Sequence, residues 1–204
     1  MAHVRRRLQR PLGERRYRKL FVIAVEGTTT EQEYFCIFNV RSNEIVVKCL
    51  DHKSKSAPSE VLKCMKGFLR QGSFRNTDEA WLVVDRDHWP ESQLDMLYEW
   101  ALQNEQYGVA LSNPKFEYWL LLHFEDGDNI ASPRECSDRL ARCLSGYDKH
   151  INPREFTQER INDAIQRAKK RDNPPCRDWP HATGTTVYKL AERLLSKPGA
   201  DPIF

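Results

Sequence analysis

The sequence predicts an α/β fold in which a parallel central sheet is flanked by helices, and three observations predict it. Short, near-continuous apolar runs of strand length recur through the first half of the chain. Such runs suit strands buried on both faces, as in parallel sheets. Segments with helical spacing separate them, giving the order βαβαβαβα. The last third carries helical patterning, which predicts a helical carboxy-terminal extension. At 204 residues the chain can bury a core without staples. The expected organisation is a basic arm over 1–18, an α/β core over 19–130 and the extension over 131–204, packed on the core.

Lys19 to Val25 is the first strand, ending in Glu26 and Gly27. Gly27 permits a tight turn, and Thr28/Glu31 or Thr30/Glu33 would each make a capping box for the next helix. Tyr34, Phe35 and Phe38 give that helix its apolar face. Glu44 to Leu50 is the second strand, Ser54 to Ser59 a polar loop, and Pro58 opens a helix to about Leu69. Ala80 to Val84 is the third strand, followed by a helix over Ser92 to Leu102. Tyr107 to Leu111 is the fourth, and Ser112-Asn113-Pro114 opens a helix from Lys115 to Phe124. That helix is apolar nearly all round, which predicts deep burial. Further helices are expected over Ser132/Pro133 to Leu144, Pro153 to Lys170 and Thr185 to Leu195, with a proline-rich loop over Asp172 to Pro180.

The formal charge of +3 is unevenly spread. Arg5, Arg6, Arg7, Arg10, Arg15, Arg16, Arg18 and Lys19 face only Glu14, so the body is net acidic. A basic arm before an acidic body predicts contact with a polyanion such as nucleic acid; a solubilising tail is the plainer alternative. The chain has no apolar run long enough to span a membrane, and no apolar stretch follows the basic amino terminus as a secretion signal requires. None of the six cysteines forms a C-x-x-C pair. A reduced, cytoplasmic protein without structural zinc is expected, with Cys136 and Cys143, seven apart, on one helix face in the core.

The chemistry concentrates in acids. Asp85 and Asp87 follow the third strand one residue apart, and side chains at i and i+2 of an extended chain point the same way. Glu26 occupies the equivalent place after the first strand. Carboxyl ends of neighbouring parallel strands lie along one sheet edge, where α/β folds bind ligands. Three converging carboxylates suit Mg²⁺ or Mn²⁺. Glu117 is a fourth candidate ligand or general base, because a charge amid Phe116, Tyr118, Trp119 and Leu120 is costly unless it faces a cleft or partner. The alternatives are a turn role for either aspartate and a helix-dipole role for Glu117. Glu31 and Glu33 read first as caps and second as ligands. Lys115 can contact phosphate or transition-state charge, and His88 is a proton shuttle or a plain loop residue. His181 to Thr186, small and hydroxyl-rich before a helix, suits either an anion or ordinary capping. Without a P-loop, a G-x-G-x-x-G or a G-x-S-x-G, nucleotide hydrolysis by a P-loop and serine-hydrolase chemistry are disfavoured.

Glu26 in Val25-Glu26-Gly27 and the Asp85-Arg86-Asp87 run resemble the glutamate and D-x-D of Toprim domains, the catalytic fold of topoisomerases, bacterial primases and overcoming-lysogenization-defect nucleases. More narrowly, the stretches Val25 to Phe35, Val84 to Asp87 and Ser112 to Leu121 are similar to the RloB-like proteins of bacterial antiphage defence. The basic leader and the small-residue loop before the last helix share that likeness, which spans nearly the whole chain. It implies a Toprim-type protein, often associated with an ATPase, that cleaves nucleic acid or otherwise disables an infected cell. The overcoming-lysogenization-defect nucleases use further acids and a lysine downstream, for which Glu117 and Lys115 are taken here. One-metal and two-metal chemistry stay open.

The leading expectation is therefore a Mg²⁺- or Mn²⁺-dependent nuclease, with Glu26, Asp85, Asp87 and Glu117 as metal ligands and catalytic residues and Lys115 assisting. Arg5, Arg6, Arg7, Arg10, Arg15 and Arg16 would supply backbone affinity for DNA or RNA. The alternative is a non-catalytic metal- or nucleic-acid-binding module of a defence complex. A primase is disfavoured, since no zinc-binding segment or template module accompanies the fold. The oligomeric state stays open.

Overall fold

The computed structural model describes residues 18–50, 57–87 and 89–196. Five strands form one sheet: β1 (Lys19–Val25), β2 (Ile45–Leu50), β3 (Glu79–Asp85), β4 (Tyr107–Asn113) and β5 (Gly184–Thr185). Their spatial order is β2-β1-β3-β4-β5. The first four run parallel, and β5 is antiparallel to β4. The helices are α1 (Thr30–Arg41), α2 (Pro58–Leu69), α3 (Glu91–Ala101), α4 (Phe116–Leu121), α5 (Pro133–Cys143), α6 (Gln158–Arg171) and α7 (Val187–Leu195). No helix among the described residues is long and apolar enough to cross a membrane.

The apolar run of β1 reads as a central strand because both of its faces are covered. Phe21, Ile23 and Val25 enter one core with residues of α1, α4, α5, α6 and α7. Val22 and Ala24 enter a second core with α2 and α3. This alternation is the two-residue period of a strand between two helical layers. Trp81 of β3 lies over Gly108 of β4, its partner in register, where an added Cβ would come within 2.5 Å of the indole. At the β2 edge the Asn39 amide donates to Val47 O (2.9 Å) and accepts from Val47 N–H (2.6 Å). That clamp occupies backbone groups a foreign strand would otherwise pair with.

Several expected elements differ. The helix predicted over Lys115 to Phe124 stops at Leu121, where His123 and Phe124 N–H groups bond three residues back and tighten the last turn. The segment from Pro153 begins as a 3-10 turn over Pro153–Glu155, and α6 starts only after Thr157, whose hydroxyl accepts from Arg160 N–H (3.3 Å). The capping boxes do not form: Thr29 is the α1 cap without a side-chain bond, and Thr30, Glu31 and Glu33 bond elsewhere. None of the six cysteines is in a disulfide, and Cys136 is buried, but Cys143 is exposed because α5 ends there.

The small-residue run before α7 supplies a cap: the Thr185 hydroxyl accepts from the N–H of Val187, the first residue of α7 (3.2 Å). Gly184 and Thr185 are the short fifth strand. The Thr185 hydroxyl meets Ser112 Oγ (2.9 Å), and Thr186 Oγ1 accepts from Leu111 N–H (2.9 Å). Those two contacts also fasten the extension to β4.

Candidate acidic site

The chain after β1 turns outward to β2, and the chain after β3 turns the other way to β4. Neighbouring strands that diverge in this manner leave a crevice between their carboxyl ends. Glu26 and Asp85 lie on its two sides. Glu26 extends the ladder one step past β1, its N–H donating to Val83 O (3.0 Å). Both of its carboxylate oxygens are held: Oε2 accepts from Asp85 N–H (2.9 Å) and Oε1 from the Trp89 indole N–H (3.3 Å). The glutamate is 9% exposed.

Gly27 has a specific reason to be glycine. Glu31, from the first turn of α1, folds back over it, and its Oε1 accepts from Gly27 N–H (3.2 Å). A Cβ on residue 27 would lie 2.2 Å from Glu31 Oε2. Glu31 thereby joins the site as a buried acid, 8% exposed. The readings that treated it first as a cap missed this. The available signal was the glycine, since only a residue without a side chain leaves space for a carboxylate there.

Glu117, in the first turn of α4, completes the group. Its Oε1 accepts from the Tyr147 hydroxyl (3.3 Å), and its Oε2 lies 4.0 Å from Lys115 Nζ. Lys115 Nζ also donates to Ser137 Oγ. The Phe116 N–H donates to Asp85. Tyr147 belongs to the loop between α5 and the 3-10 turn. That loop is tied to α1 where the Thr30 hydroxyl donates to Lys149 O (2.6 Å) and Glu33 accepts from Ile151 N–H (2.8 Å) and His150 Nδ1 (2.7 Å).

The electrostatics separate this end of the sheet from the other. Burial pushes Glu26 up from 4.5 to about 7, with the charges of Asp87 and Glu31 adding to it against the two hydrogen bonds. Burial and Glu117 push Glu31 up. Asp85 is held well above 3.8 by burial and by Glu31, Glu26 and Glu117. At the amino end, Glu79 is buried too, yet its carboxyl lies below its ordinary value. There Lys19 (2.6 Å), Arg193 and the Trp81 indole (2.9 Å) outweigh desolvation. One end holds an acid matched by cations; the other gathers acids whose charges oppose one another.

The sequence-predicted residues fare unequally. The charges of Glu26 and Glu117 both act on Asp85, and Lys115 flanks Glu117. Asp87 does not stand beside Asp85 as an extended strand would place it. The strand ends at Asp85, Asp87 takes φ +38° in a turn and is exposed, and its N–H donates to Pro114 O (3.4 Å). It stays near enough for its charge to act on Glu26. His88, the arm with Arg5, Arg6, Arg7, Arg10, Arg15 and Arg16, and most of the loop before Pro58 lie outside the described residues. Among the described residues no group of three or more His, Cys, Asp or Glu is arranged to hold a metal ion.

Comparison with known proteins gives one assignment. A family model described as RloB-like protein matches residues 21–194, which takes in every residue of the acidic site. No curated protein and no solved structure matches the chain significantly.

Proposed function

The chain belongs to the RloB-like family, and from that premise we propose that it is a divalent-metal-dependent nuclease with a Toprim-type site, acting in bacterial antiphage defence beside an ATPase partner. The observation that carries the proposal is the gathering of Glu26, Glu31, Asp85 and Glu117 at the carboxyl end of the sheet, where burial raises Glu26, Glu31 and Asp85 and the charges of Glu31, Glu26 and Glu117 raise Asp85 further. Buried carboxylates that repel one another are stabilised by a shared cation, and an all-oxygen donor set suits Mg²⁺ or Mn²⁺.

Asp85, Glu26, Glu31 and Glu117 would hold the cation, with Asp87 at the rim. Side-chain rotation is required to bring them to a common point, since they do not share one as they stand. A cation held by these carboxylates would supply Lewis-acid polarisation of a phosphoryl oxygen and stabilisation of the leaving oxygen. Glu26 or Glu117 would accept the proton of the attacking water. Lys115, beside Glu117, would offset developing phosphoryl charge. The basic arm would supply sequence-independent affinity for the backbone of DNA or RNA.

The test is cleavage of labelled single- and double-stranded DNA and RNA by the full chain with Mg²⁺ or Mn²⁺. Cleavage should stop with chelator and with Asp85→Ala. Robust cleavage by that variant would remove the site assignment. The second reading, a binding module without turnover, is favoured by the separation of the carboxylates. Mn²⁺ binding without cleavage of any of these substrates would select it.

A further inference from the structure

Two of the six free cysteines face one another where α1 packs on β2. Strand residues alternate between faces. Ile45 and Val47 enter the core shared with α1, while Lys48 lies over Phe68 of α2 and Leu50 enters the α2 core. Cys49 therefore points toward α1, and it packs half-buried against that core. On the helix side, Asn39 clamps both backbone groups of Val47 (2.9 and 2.6 Å), which fixes α1 against this strand. Cys36 precedes Asn39 by three residues on the same stripe of the helix. A crossover helix runs antiparallel to the strands it joins, so moving back from Asn39 by about 4.5 Å matches moving forward from Val47 to Cys49 by about 6.6 Å. The two thiols meet there and share a hydrogen bond. Packing alone accounts for a half-buried cysteine beside a core, but it does not call for a second, exposed thiol against the first.

We propose that Cys36 and Cys49 are a redox-reactive dithiol that a peroxide converts to an intramolecular disulfide. The inference is independent of the acidic site. The Cys36 sulfur attacks one oxygen of the peroxide, the O–O bond breaks, and hydroxide leaves with the thiol proton as water, so that Cys36 becomes a sulfenic acid. The Cys49 sulfur then displaces the sulfenic hydroxyl, which leaves with the Cys49 proton as a second water, and the S–S bond forms. The sum is two thiols and one hydrogen peroxide giving one disulfide and two waters. The order of events follows from access. Cys36 is exposed and meets the oxidant first, whereas Cys49 is half-buried and is kept as the thiol by burial, which pushes it up to about 12. The bond would add a covalent link to the Asn39 clamp on the edge strand of the sheet.

The test treats the reduced full-length chain with graded hydrogen peroxide, alkylates the remaining thiols under denaturing conditions, and maps the digested peptides by mass spectrometry. The expected product is a peptide pair joining Cys36 to Cys49 and released by dithiothreitol, with the buried Cys136 still alkylated as a free thiol. In Cys49→Ser, Cys36 should instead stop at the sulfenic acid and be trapped by dimedone, an adduct absent at Cys36 in the wild type. In Cys36→Ser, Cys49 should remain a free thiol. Circular dichroism checks that both variants fold, and the wild-type map decides the pairing without them. Three results would overturn the proposal: Cys36 of the wild type carried to sulfinic acid with Cys49 free, either cysteine joined to a different one, or both still free at every dose that leaves the chain folded.

Discussion

Replacing Glu26 by Gln should make the metal-free protein more stable at alkaline pH, although it removes a buried, doubly hydrogen-bonded group. The sign follows from the direction of the shift. Glu26 is raised from 4.5 to about 7, so between those values the folded state binds more protons than the unfolded state. Its contribution is fully present below pH 4.5 and is lost as pH rises through 7. At about 1.4 kcal/mol per pH unit, ionising it costs the fold about 3 kcal/mol at pH 8, of which about 2.5 kcal/mol develops between pH 5 and pH 8. These are upper figures, since water entering the crevice screens the charge. Gln keeps an acceptor for Asp85 N–H but turns its amide toward the Trp89 indole, costing about 1 kcal/mol. The net expectation is a gain of about 1–2 kcal/mol at pH 8 and a loss of about 0.5 kcal/mol near pH 5. The assay is urea unfolding followed by circular dichroism across that range, in chelator, for both proteins. The comparison is between variants because His123 acts in the opposite sense. Burial among Tyr34, Trp119 and Phe156 lowers it to about 3, so its contribution is lost as pH falls below 6.5. Parallel stability curves for wild type and Glu26→Gln between pH 5 and pH 8 would refute the reasoning.

Two further outcomes follow from the geometry. Gly27→Ala places a methyl against the Glu31 carboxylate; it should displace Glu31, cost about 1–3 kcal/mol and weaken Mn²⁺ binding, measured by urea unfolding and calorimetric titration. Glu79→Gln leaves Lys19 and Arg193 facing a neutral amide in a buried network. Unfolding should show a loss of about 2–4 kcal/mol, with Mn²⁺ affinity as in wild type, because the change lies at the opposite end of the sheet.

The strands and most helices were legible because their signals are local. The apolar run Phe21 to Val25 specifies a strand covered on both sides, and all five residues are fully buried. Glu26 and Asp85 were legible too, since a parallel sheet aligns strand ends without reference to the rest of the chain. Glu31 was less so: its place depends on a backbone turn at Gly27 that puts a helix-start acid into a strand-end crevice. The two-residue β5 is too short to carry a period, and only its pairing with β4 makes it a strand.

What the sequence by itself determined was the α/β pattern, the acids at the ends of the first and third strands and the likeness to RloB-like proteins, all properties of contiguous residues. The tertiary structure alone decided which acids meet. It ended β3 at Asp85 and turned Asp87 outward, brought Glu31 over Gly27, and set Tyr147 against Thr30 across 117 positions of chain. It also decided that Glu79, as buried as Glu26, is matched by cations while Glu26 is not. The physical reason is that a carboxylate's charge state depends on burial and on neighbours within a few ångströms, and folding chooses those neighbours without regard to their distance along the chain.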